Sequence, residues 1–335
     1  MAAEYAPDIV RDLEQRVIAA LPLWGLSAQS TVCVLNLSEN ATFALHCPVS
    51  GRDLVLRVHR IGYSSPAEIR SELDWIEALR RQRVVETVTP VAGLNGDPVQ
   101  TLPSGGARPA RHAVAFERLP GREPAAEGSE AVKWFGRLGQ VTARMHAHAR
   151  SWAAPAGFQR KRWDLAAMVG PNGFWGSWRA AADLTSAGAA IIERALAQIE
   201  QRLERYGEGP QRFGLIHADL RLANLLVDGP DLRVIDFDDC GFSWFMYDFA
   251  TAVSFMEHEP IVEQLLSAWV RGYRCEEPLA EADVLEIPTF IVLRRILLSA
   301  WLASHSEVPS AAQFGSAYTQ GTVRLAQRLT RGALF

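Results

Sequence analysis

The stretch that decides the fold is LIHADLRLANLLV at residues 215–227, followed by VIDFDD at residues 234–239. Each part begins with an apolar run that is typical of a buried strand and then turns polar. Asp219 lies in the loop after the first run, Asn224 follows it five residues later, and Asp236 comes twelve residues after Asn224. Because neighbouring strands can end side by side, we expect these three side chains to meet at one point.

The three side chains suit one kind of chemistry. One carboxylate can accept the proton of a hydroxyl, while an amide oxygen and a second carboxylate are hard oxygen ligands for Mg²⁺. Mg²⁺ needs few protein ligands because it keeps water molecules and takes its remaining ligands from phosphate. An ordinary turn or helix cap that uses Asp and Asn is the alternative interpretation. The spacing and the two flanking strands favour the site.

This arrangement resembles the catalytic and metal-binding loops of the aminoglycoside phosphotransferase/choline kinase-like family, which is related to the eukaryotic-type protein kinases. In that family an H-x-D-x-x-x-x-N motif precedes an I-D-F-like segment. The resemblance implies that Asp219 is the catalytic base and that His217 contributes to catalysis by positioning the loop. It also implies that Asn224 and Asp236 bind Mg²⁺ and that ATP is the donor. The nearest branch contains homoserine kinases and a bacterial stress-response Ser/Thr kinase.

The rest of the chain predicts an α+β protein. Its 335 residues favour two lobes over one. β-rich runs surround one helix up to Pro120, and helices dominate beyond it. The resemblance implies a bilobal protein-kinase-like fold, with a small antiparallel β-sheet in the N-terminal lobe and a mainly α-helical C-terminal lobe. We expect these lobes to be residues 1–119, which would bind the nucleotide, and residues 120–335, which would bind the acceptor.

Local patterns predict the individual elements. In the first lobe they predict strands at 31–37, 41–47, 53–60, 91–94, 99–102 and 111–118, with the fourth and fifth forming a hairpin at Asn95-Gly96. Ser65, Pro66 and Glu68 predict a capped helix start. In the second lobe the patterns predict helices capped by Ser129 and Ser186, strands at 213–216, 225–227 and 233–235, and helices at 245–256, 260–273, 279–304 and 311–330.

Two residues of the first lobe are candidates for binding phosphate. Arg57 lies on the third predicted strand, where kinases place a lysine that holds the ATP phosphates. Only Lys133 and Lys161 are lysines in this chain, and neither is near that strand. Glu72 lies beside the buried stripe of the following helix, so it can face Arg57 and orient it. A strand-edge arginine that pairs with any acid is the alternative.

The remaining candidates depend on the resemblance. The loop that begins at Ser38 has no glycine-rich motif, so phosphate contacts would come from backbone N–H groups and the Ser38 hydroxyl, although an ordinary hairpin turn explains it equally well. The resemblance implies that adenine lies against the backbone near Glu117 and Leu119.

The resemblance further implies that Asp248, in the second lobe, braces the catalytic loop through backbone hydrogen bonds. A carboxylate at a helix start is the alternative. Trp163, Trp175 and Trp178 are interpreted as the core of an inserted segment rather than as acceptor contacts.

Composition excludes several classes of protein. With 34 basic and 38 acidic residues the formal net charge is −4, which does not suggest a nucleic-acid-binding protein. The apolar stretch at 287–303 is interrupted by Arg294-Arg295, so we expect no membrane span. Four scattered cysteines without a CxxC pair indicate reduced core thiols in a cytoplasmic protein; they are Cys33, Cys47, Cys240 and Cys275.

These observations predict phosphoryl transfer from Mg·ATP to a hydroxyl, with a small-molecule acceptor expected. A cationic amino alcohol could be favoured by the acidic residues at 236–239, Glu257 and Glu259, or these residues could be surface charge. The basic stretch Arg160-Lys161-Arg162 is interpreted as a solvated turn. A homoserine-like or aminoglycoside-like alcohol and a protein Ser/Thr hydroxyl fit the same donor chemistry. A nucleotide-binding pseudokinase or scaffold and a metal-dependent hydrolase are the competing functions. The oligomeric state is left open.

Overall fold

The first third of the chain contains an antiparallel sheet, as its β-rich runs predict. In the computed structural model, which describes residues 7–104, 109–305 and 314–332, the strands of this region are β1 (Thr31–Leu37), β2 (Ala41–Cys47), β3 (Arg52–Val58), β4 (Glu86–Thr87), β5 (Pro90–Val91), β6 (Val99–Leu102) and β7 (Arg111–Glu117). The sheet has the order β1-β2-β3-β7-β5, and β6 also pairs with β7. All these pairings are antiparallel.

The core of this sheet is covered by a helix that the sequence patterns did not single out. Helix α1 (Pro7–Ala20) turns Leu13 and Val17 inward, and both are fully buried together with Phe43 of β2 and Leu56 of β3. The alternation of buried and partly buried residues along β2 is the period of two expected for a strand with one face in the core.

Helix α2 (Pro66–Arg81) begins as predicted. The Ser65 hydroxyl accepts a hydrogen bond from the Glu68 N–H at 3.3 Å, and the Glu68 carboxylate accepts one from the Ser65 N–H at 2.8 Å. This reciprocal pair is a capping box, and it satisfies two of the backbone donors that a helix start leaves open. The prediction of the cap is therefore confirmed.

The predicted hairpin at Asn95-Gly96 is wrong. A turn is present, since Gly96 has a φ of +80° and its N–H donates to the Gly93 carbonyl at 2.8 Å. However, β5 and β6 each pair with β7 rather than with each other. The turn signal identified a local bend, and the longer strand β7 supplied the pairing partner for both short strands.

The chain divides into two compact units, which are not continuous in sequence. The first contains residues 1–78, 87–120 and 154–159, and the second contains residues 79–86, 121–153 and 160–335. The helices of the second are α3 (Gly128–Ser151), α4 (Leu165–Val169), α5 (Ser186–Tyr206), α6 (Tyr247–Ala252), α7 (Val262–Glu276), α8 (Glu281–Val284), α9 (Ile287–Ser304) and α10 (Gly315–Thr330). Its strands are β8 (Lys161–Arg162), β9 (Phe213–Ile216), β10 (Leu225–Asp228), β11 (Asp231–Val234) and β12 (Gly241–Trp244).

Several predicted helix starts are displaced. Helix α3 begins at Gly128, before the expected cap Ser129, and α5 is capped by the Thr185 hydroxyl rather than by Ser186. The predicted helix at 279–304 is divided into α8 and α9. The predicted helix at 311–330 appears as α10, and residues 311–313 of that prediction lie outside the described part of the chain.

Helices α3 and α7 approach each other closely because glycines face the contact. A Cβ atom added at Gly139 would lie 2.1 Å from the Trp269 carbonyl oxygen, and one added at Gly272 would lie 1.9 Å from that of Gly136. Neither position tolerates a side chain without a backbone shift. This contact holds α3 against α7 in the second unit.

Helix α9 is the buried centre of the second unit. Every residue from Phe290 to Trp301 is buried, including Arg294 and Arg295. The segment Glu281–Ser304 is long and apolar enough to cross a membrane, but 78% of its most apolar window is buried inside the protein. It therefore behaves as a core helix, and its two arginines must find partners within the fold.

The four cysteines are free in this structure. Cys47 and Cys240 are buried. Cys33 and Cys275 are exposed, so the prediction that all four are core residues is wrong for these two.

Candidate active site

The open end of a short hairpin brings the two predicted metal ligands together. Leu225 of β10 pairs with Val234 of β11, and the next backbone hydrogen bond runs from the Ile235 N–H to the Asn224 carbonyl at 2.9 Å. Asn224 and Asp236 therefore lie next to each other, just beyond the last residue pair of the hairpin. Asp236 has a φ of +64°, a left-handed conformation that is uncommon for a residue other than glycine and is often found at functional sites.

Asn224 also contacts the predicted base. Its amide nitrogen donates to an Asp219 carboxylate oxygen, Oδ2, at 2.7 Å and to the Asp219 carbonyl at 2.9 Å. Because the nitrogen end of the amide is bound to Asp219, the oxygen end is the part of Asn224 that can ligate a cation. The Asp219 side chain is 14% exposed, so it is sheltered but still reachable. The second unit thus brings Asp219, Asn224 and Asp236 into one local arrangement.

His217 fixes the backbone of the loop between them. Its Nδ1 accepts a hydrogen bond from the Asp219 N–H at 3.2 Å, so Nε2 carries the proton and donates to the Ile235 carbonyl at 3.1 Å. The ring is fully buried against Phe237. These contacts join the loop before Asn224 to the residue before Asp236. The contacts of His217 are therefore those of a residue that positions the loop.

Asp248 braces the same loop from α6, as the resemblance implies. Its Oδ1 accepts from the Ala218 N–H at 2.8 Å, and its Oδ2 accepts from the His217 N–H at 3.3 Å. Ala218 has a φ of +64°, so the loop is held in a strained conformation while the carboxylate satisfies its N–H groups. The next turn of α6 adds Thr251, whose hydroxyl accepts from the Leu220 N–H at 2.9 Å.

Asp248 has a buried histidine partner that the sequence patterns did not reveal. His146 Nε2 lies 3.0 Å from Asp248 Oδ2, and His146 Nδ1 lies 3.2 Å from the Tyr273 hydroxyl. Burial lowers the pKa of His146, although Asp248 works in the opposite direction, so the imidazole is neutral at pH 7.

Two arginines contact Asp219, and neither was predicted to do so. Arg294 Nη2 donates to Oδ1 of Asp219 at 2.7 Å, and Arg221 Nε donates to Oδ2 at 3.2 Å. The sequence did contain a signal for Arg294, because a charged residue in the middle of an apolar helix needs a buried partner. Burial works to lower the pKa of Arg294, but Tyr247 and Asp219 more than offset it and the net shift is upward.

Two of the acidic residues proposed to attract a cationic acceptor, Asp239 and Glu257, are paired within the protein. Asp239 is buried and accepts from Lys161 Nζ at 3.2 Å, and Arg160 donates to the Cys240 carbonyl at 2.6 Å. Glu257 is buried against Arg295 at 2.5 Å. Arg160 and Lys161 are therefore structural, and the solvated turn predicted for them is wrong. Asp239 and Glu257 are neutralised by neighbours and are poor candidates for binding an ammonium group.

The three tryptophans of the inserted segment are buried, as the packing interpretation predicts. Trp163 and Trp178 are 1% exposed and Trp175 is 4% exposed. The rings of Trp163 and Trp175 lie 5.4 Å apart. Trp175 also lies under the Arg294 guanidinium, which is 5.4 Å from the centre of its ring. The segment therefore packs against a side chain that contacts Asp219.

In the first unit, Arg57 and Glu72 form the predicted pair. Nη2 of Arg57 lies 2.6 Å from both carboxylate oxygens of Glu72, and the two side chains are 5% and 1% exposed. One guanidinium nitrogen bridges both oxygens, so the contact differs from the two-nitrogen fork that such pairs often adopt. The Arg57 guanidinium also lies 5.4 Å from the centre of the Phe116 ring.

The other candidates of the first unit lie at the predicted loop and strand end, and their roles in binding nucleotide stay predictions. Ser38 lies in the turn between β1 and β2, where its N–H donates to the Asn40 carbonyl at 3.1 Å. Glu117 ends β7, and its N–H donates to the Thr89 carbonyl at 2.9 Å. The Glu117 N–H is therefore already used, and the Glu117 carbonyl and the backbone of Leu119 remain as candidates for binding adenine.

The donor set at the end of the hairpin fits a divalent cation with hard-ligand preference. It offers one amide oxygen and one carboxylate, which suits an ion that keeps water and takes other ligands from phosphate. Among the described residues, no group of three or more His, Cys, Asp or Glu side chains is arranged to hold a metal. The described residues therefore contain no metal site built entirely from such side chains. Asn224 and Asp236 provide the oxygen ligands that suit a divalent cation of this kind.

Comparison with known proteins finds phosphotransferases among the relatives of this chain. The sequence model of the phosphotransferase enzyme family, APH, matches residues 34–283. The chain is 24% identical over 298 residues to amicoumacin kinase of Bacillus subtilis (strain 168), a match that covers 85% of this chain and 83% of that protein.

Solved structures extend the likeness to nearly the whole chain. The microcompartment-associated aminopropanol kinase is 42% identical, with a TM-score of 0.87, over 96% of this chain and 99% of that one. Amicoumacin kinase hAmiN, solved with AMP-PNP, Ca²⁺ and Ami, is 22% identical with a TM-score of 0.73, over 96% and 94% of the two chains. The expected α+β, protein-kinase-like phosphotransferase fold is confirmed. The relatives named here act on small molecules and give no support to a protein Ser/Thr acceptor, and the homoserine kinase branch stays a prediction.

Proposed function

The chain belongs to the phosphotransferase enzyme family, and on that premise we propose that it transfers the γ-phosphate of ATP to the hydroxyl of a small amino alcohol in a Mg²⁺-dependent reaction. The protein is a kinase for a small-molecule hydroxyl, as its relatives are. The amino alcohol, the choice of Mg²⁺ and the roles of individual residues are the proposed parts.

The arrangement of Asp219, Asn224 and Asp236 is the observation that carries the proposal. Asn224 connects to Asp219 through its amide nitrogen at 2.7 Å and to the residue before Asp236 through its carbonyl at 2.9 Å. A base in contact with one oxygen ligand, with a second oxygen ligand beside it at the end of the neighbouring strand, is the arrangement that phosphoryl transfer to an alcohol requires. A binding-only scaffold has no use for the base, and hydrolysis has no use for the buried Arg57–Glu72 pair.

Asp219 has room for one acceptor hydroxyl. An ionised carboxylate has about four acceptor positions, and within the described part of the chain Arg294, Arg221 and Asn224 use three of them. The remaining position is on Oδ1. The acceptor hydroxyl would donate its hydrogen bond there, and its proton would pass to Asp219 as its oxygen bonds to the γ-phosphorus and the bond to the leaving ADP oxygen breaks.

Asn224 and Asp236 would hold the divalent cation through the amide oxygen and the carboxylate. When bound, the cation neutralises the negative charge of the phosphate oxygens. The structure of the hAmiN relative contains AMP-PNP and Ca²⁺, which supports an adenine nucleotide and a divalent cation as the partners of this fold. Mg²⁺ is proposed because two protein oxygens are too few for the larger ligand shell of a dedicated Ca²⁺ site.

The amino alcohol is proposed from the 42% identity with aminopropanol kinase over 96% of this chain. The internal pairing of Asp239 and Glu257 gives it no independent support. The likeness to amicoumacin kinase is weaker in identity, at 24%. Phosphorylation of an antibiotic is therefore an outcome to be tested rather than a second proposal.

The test is transfer from γ-labelled ATP to a panel of alcohols. The panel contains 1-amino-2-propanol, ethanolamine, choline, homoserine, spectinomycin and amicoumacin, and 2-propanol serves as the matched alcohol without an amine. We expect the highest kcat/KM with 1-amino-2-propanol and little transfer to 2-propanol. In the same assay Asp219→Asn should lower kcat by about 10²–10⁴-fold and leave ATP affinity nearly unchanged. Labelling of an antibiotic alone would overturn the amino alcohol, and full activity in Asp219→Asn would overturn the base.

A further inference from the structure

We propose that Arg294 is a positioning residue that holds the Asp219 carboxylate in the orientation required to receive the acceptor proton. This inference rests on the proposed function, because it takes Asp219 as the base. It assigns a role in turnover to a side chain of the buried helix α9, seventy-five residues away in sequence from the residue it serves.

The contact is a short, sheltered, charge-assisted hydrogen bond. Arg294 Nη2 lies 2.7 Å from Asp219 Oδ1, and the two side chains are 3% and 14% exposed. Such bonds are about twice as strong as those between neutral groups, and shelter from water strengthens them further. The position of Oδ1 is therefore tied to the position of the guanidinium.

The guanidinium is itself fixed by the surrounding fold. Its Nε donates to the Ser254 hydroxyl at 3.1 Å, and its centre lies 5.4 Å from the centre of the Trp175 ring. Ser254 follows α6, and Trp175 belongs to the tryptophan-bearing segment before α5. Two separate parts of the second unit, in addition to its own helix, thus determine where Arg294 lies, so it can act as a rigid support for Asp219.

The two oxygens of Asp219 are held from different sides. Arg294 binds Oδ1, while Asn224 Nδ2 binds Oδ2 at 2.7 Å. With both oxygens held, the carboxylate cannot rotate about its terminal bond, and its one remaining acceptor position keeps a constant direction. Without Arg294, Oδ1 loses its donor, and the carboxylate can turn about the contact with Asn224. Catalysis depends on such alignment, because a displacement of about 1 Å can cost about 10²-fold in rate.

The adjacent arginine provides a matched control. Arg295 is also buried on α9, but it pairs with Glu257 at 2.5 Å and donates to the Thr322 hydroxyl at 3.2 Å. Each arginine belongs to a buried ion pair, so removing either should destabilise the fold to a similar degree. Of these two neighbouring arginines, Arg294 is the one that contacts Asp219. A difference in turnover between variants of these two residues therefore separates positioning from general stability.

The experiment compares Arg294→Ala, Arg294→Lys, Arg295→Ala and Arg295→Lys with whichever alcohol the wild type phosphorylates. We expect Arg294→Ala to lower kcat by about 10²-fold while KM for ATP changes by less than about threefold. Arg294→Lys should recover part of kcat, and added guanidinium should recover part of it in Arg294→Ala. The Arg295 variants should lose thermal stability to a similar extent but keep kcat within about threefold of the wild type.

Introducing Arg294→Lys into the Asp219→Asn variant tests whether Arg294 acts through the base. We expect Arg294→Lys to have no further effect on kcat there, because the carboxylate that it would orient for proton transfer is already gone. Equal losses of kcat in the Arg294 and Arg295 variants, or an undiminished effect of Arg294→Lys in Asp219→Asn, would overturn the positioning role. If Asp219→Asn itself retains turnover, the proposed base is wrong. If Asp219→Asn is inactive while folded Arg294→Lys and Arg294→Ala are fully active, only the inference about Arg294 fails.

Discussion

The Asp248 carboxylate oxygen Oδ1 lies 2.8 Å from the backbone nitrogen of Ala218, the residue immediately before the proposed base. The contact joins the first turn of α6 to a loop residue with a φ of +64°. A strained loop persists only where the surrounding structure determines it. The position of Asp219 is thus set by a residue that has no part in the proton transfer.

Replacing Asp248 with Asn should weaken both the fold and turnover. An amide has one acceptor oxygen, so the N–H of His217 or of Ala218, or the His146 ring, would face an NH₂ group. We expect a loss of about 1–3 kcal/mol in the free energy of unfolding, because a buried donor is left without an acceptor. Urea unfolding measures this loss, and steady-state kinetics should show a lower kcat.

Thr251 offers a graded control for that experiment. Its hydroxyl accepts from the Leu220 N–H at 2.9 Å. Thr251→Ser keeps this hydroxyl but loses a buried methyl group, and should cost about 1 kcal/mol with little effect on kcat. Thr251→Val keeps the methyl group but leaves the Leu220 N–H without its acceptor, and should lower both stability, by about 1–3 kcal/mol, and kcat. If Asp248→Asn unfolds at the same urea concentration as the wild type, the carboxylate does not hold the loop.

The Arg57–Glu72 pair leads to a second prediction, about buried charge. Glu72→Gln should destabilise the protein by about 3–5 kcal/mol, because it leaves the guanidinium buried without its counter-ion. The double variant Arg57→Met/Glu72→Leu should cost far less, since it removes both charges together. Urea unfolding of the three proteins checks the pattern. A double variant that is less stable than Glu72→Gln would contradict it.

Sequence patterns were most successful where a local interaction determines the structure. β1 and β2 have the predicted bounds, and the capping box of Ser65 and Glu68 starts α2 as expected. A turn or cap is decided by a few neighbouring residues, so its signal is contained in a short stretch. The Arg57–Glu72 contact was also predictable, because strand and helix periodicity placed the two side chains on facing surfaces.

The contacts that were not predicted join residues far apart in sequence. His146 and Asp248 are 102 residues apart, and Asp219 and Arg294 are 75 residues apart. No local period connects them. The apolar helix with two arginines indicated that buried partners must exist, but it could not identify Asp219 and Glu257 as those partners. The pairing of Asp239 with Lys161 was hidden for the same reason.

Removal of the proposed metal ligand gives a third prediction. Asp236→Asn should raise the Mg²⁺ concentration required for half-maximal rate and lower kcat by about 10²-fold or more, because one of two protein oxygens loses its charge. Chelation of divalent cations should abolish turnover of the wild type. Rates measured across a Mg²⁺ titration at saturating ATP check both expectations.

Asp228→Asn is the matched control for the metal prediction. Asp228 lies at the opposite end of the same hairpin, where it is half exposed and pairs with Arg233 at 3.0 Å. Its removal should leave the Mg²⁺ dependence as in the wild type, since surface pairs contribute little. If the two variants require equal Mg²⁺, Asp236 is not a ligand.

The fourth prediction concerns acid stability and His146. Burial lowers the pKa of His146 below its ordinary value of 6.5. The groups around it are Asp248 on α6, Tyr273 on α7 and Arg150 on its own helix. Burial also raises the pKa of Tyr273 to about 12, so that phenol stays neutral in the acid range. As the pH falls below 6.5, the unfolded chain takes up a proton at His146 that the folded chain refuses.

The stability contributed by neutral His146 is therefore complete above about pH 6.5 and declines as the pH falls toward the lower folded pKa, by at most about 1.4 kcal/mol per pH unit. His146→Gln keeps a donor for Asp248 and an acceptor for Tyr273 but cannot titrate, so its free energy of unfolding should fall less steeply between about pH 6.5 and 5. Urea unfolding across this range measures the two slopes, with His258→Gln as a control at a half-exposed site. Parallel slopes for the wild type and His146→Gln would show that the acid sensitivity arises elsewhere.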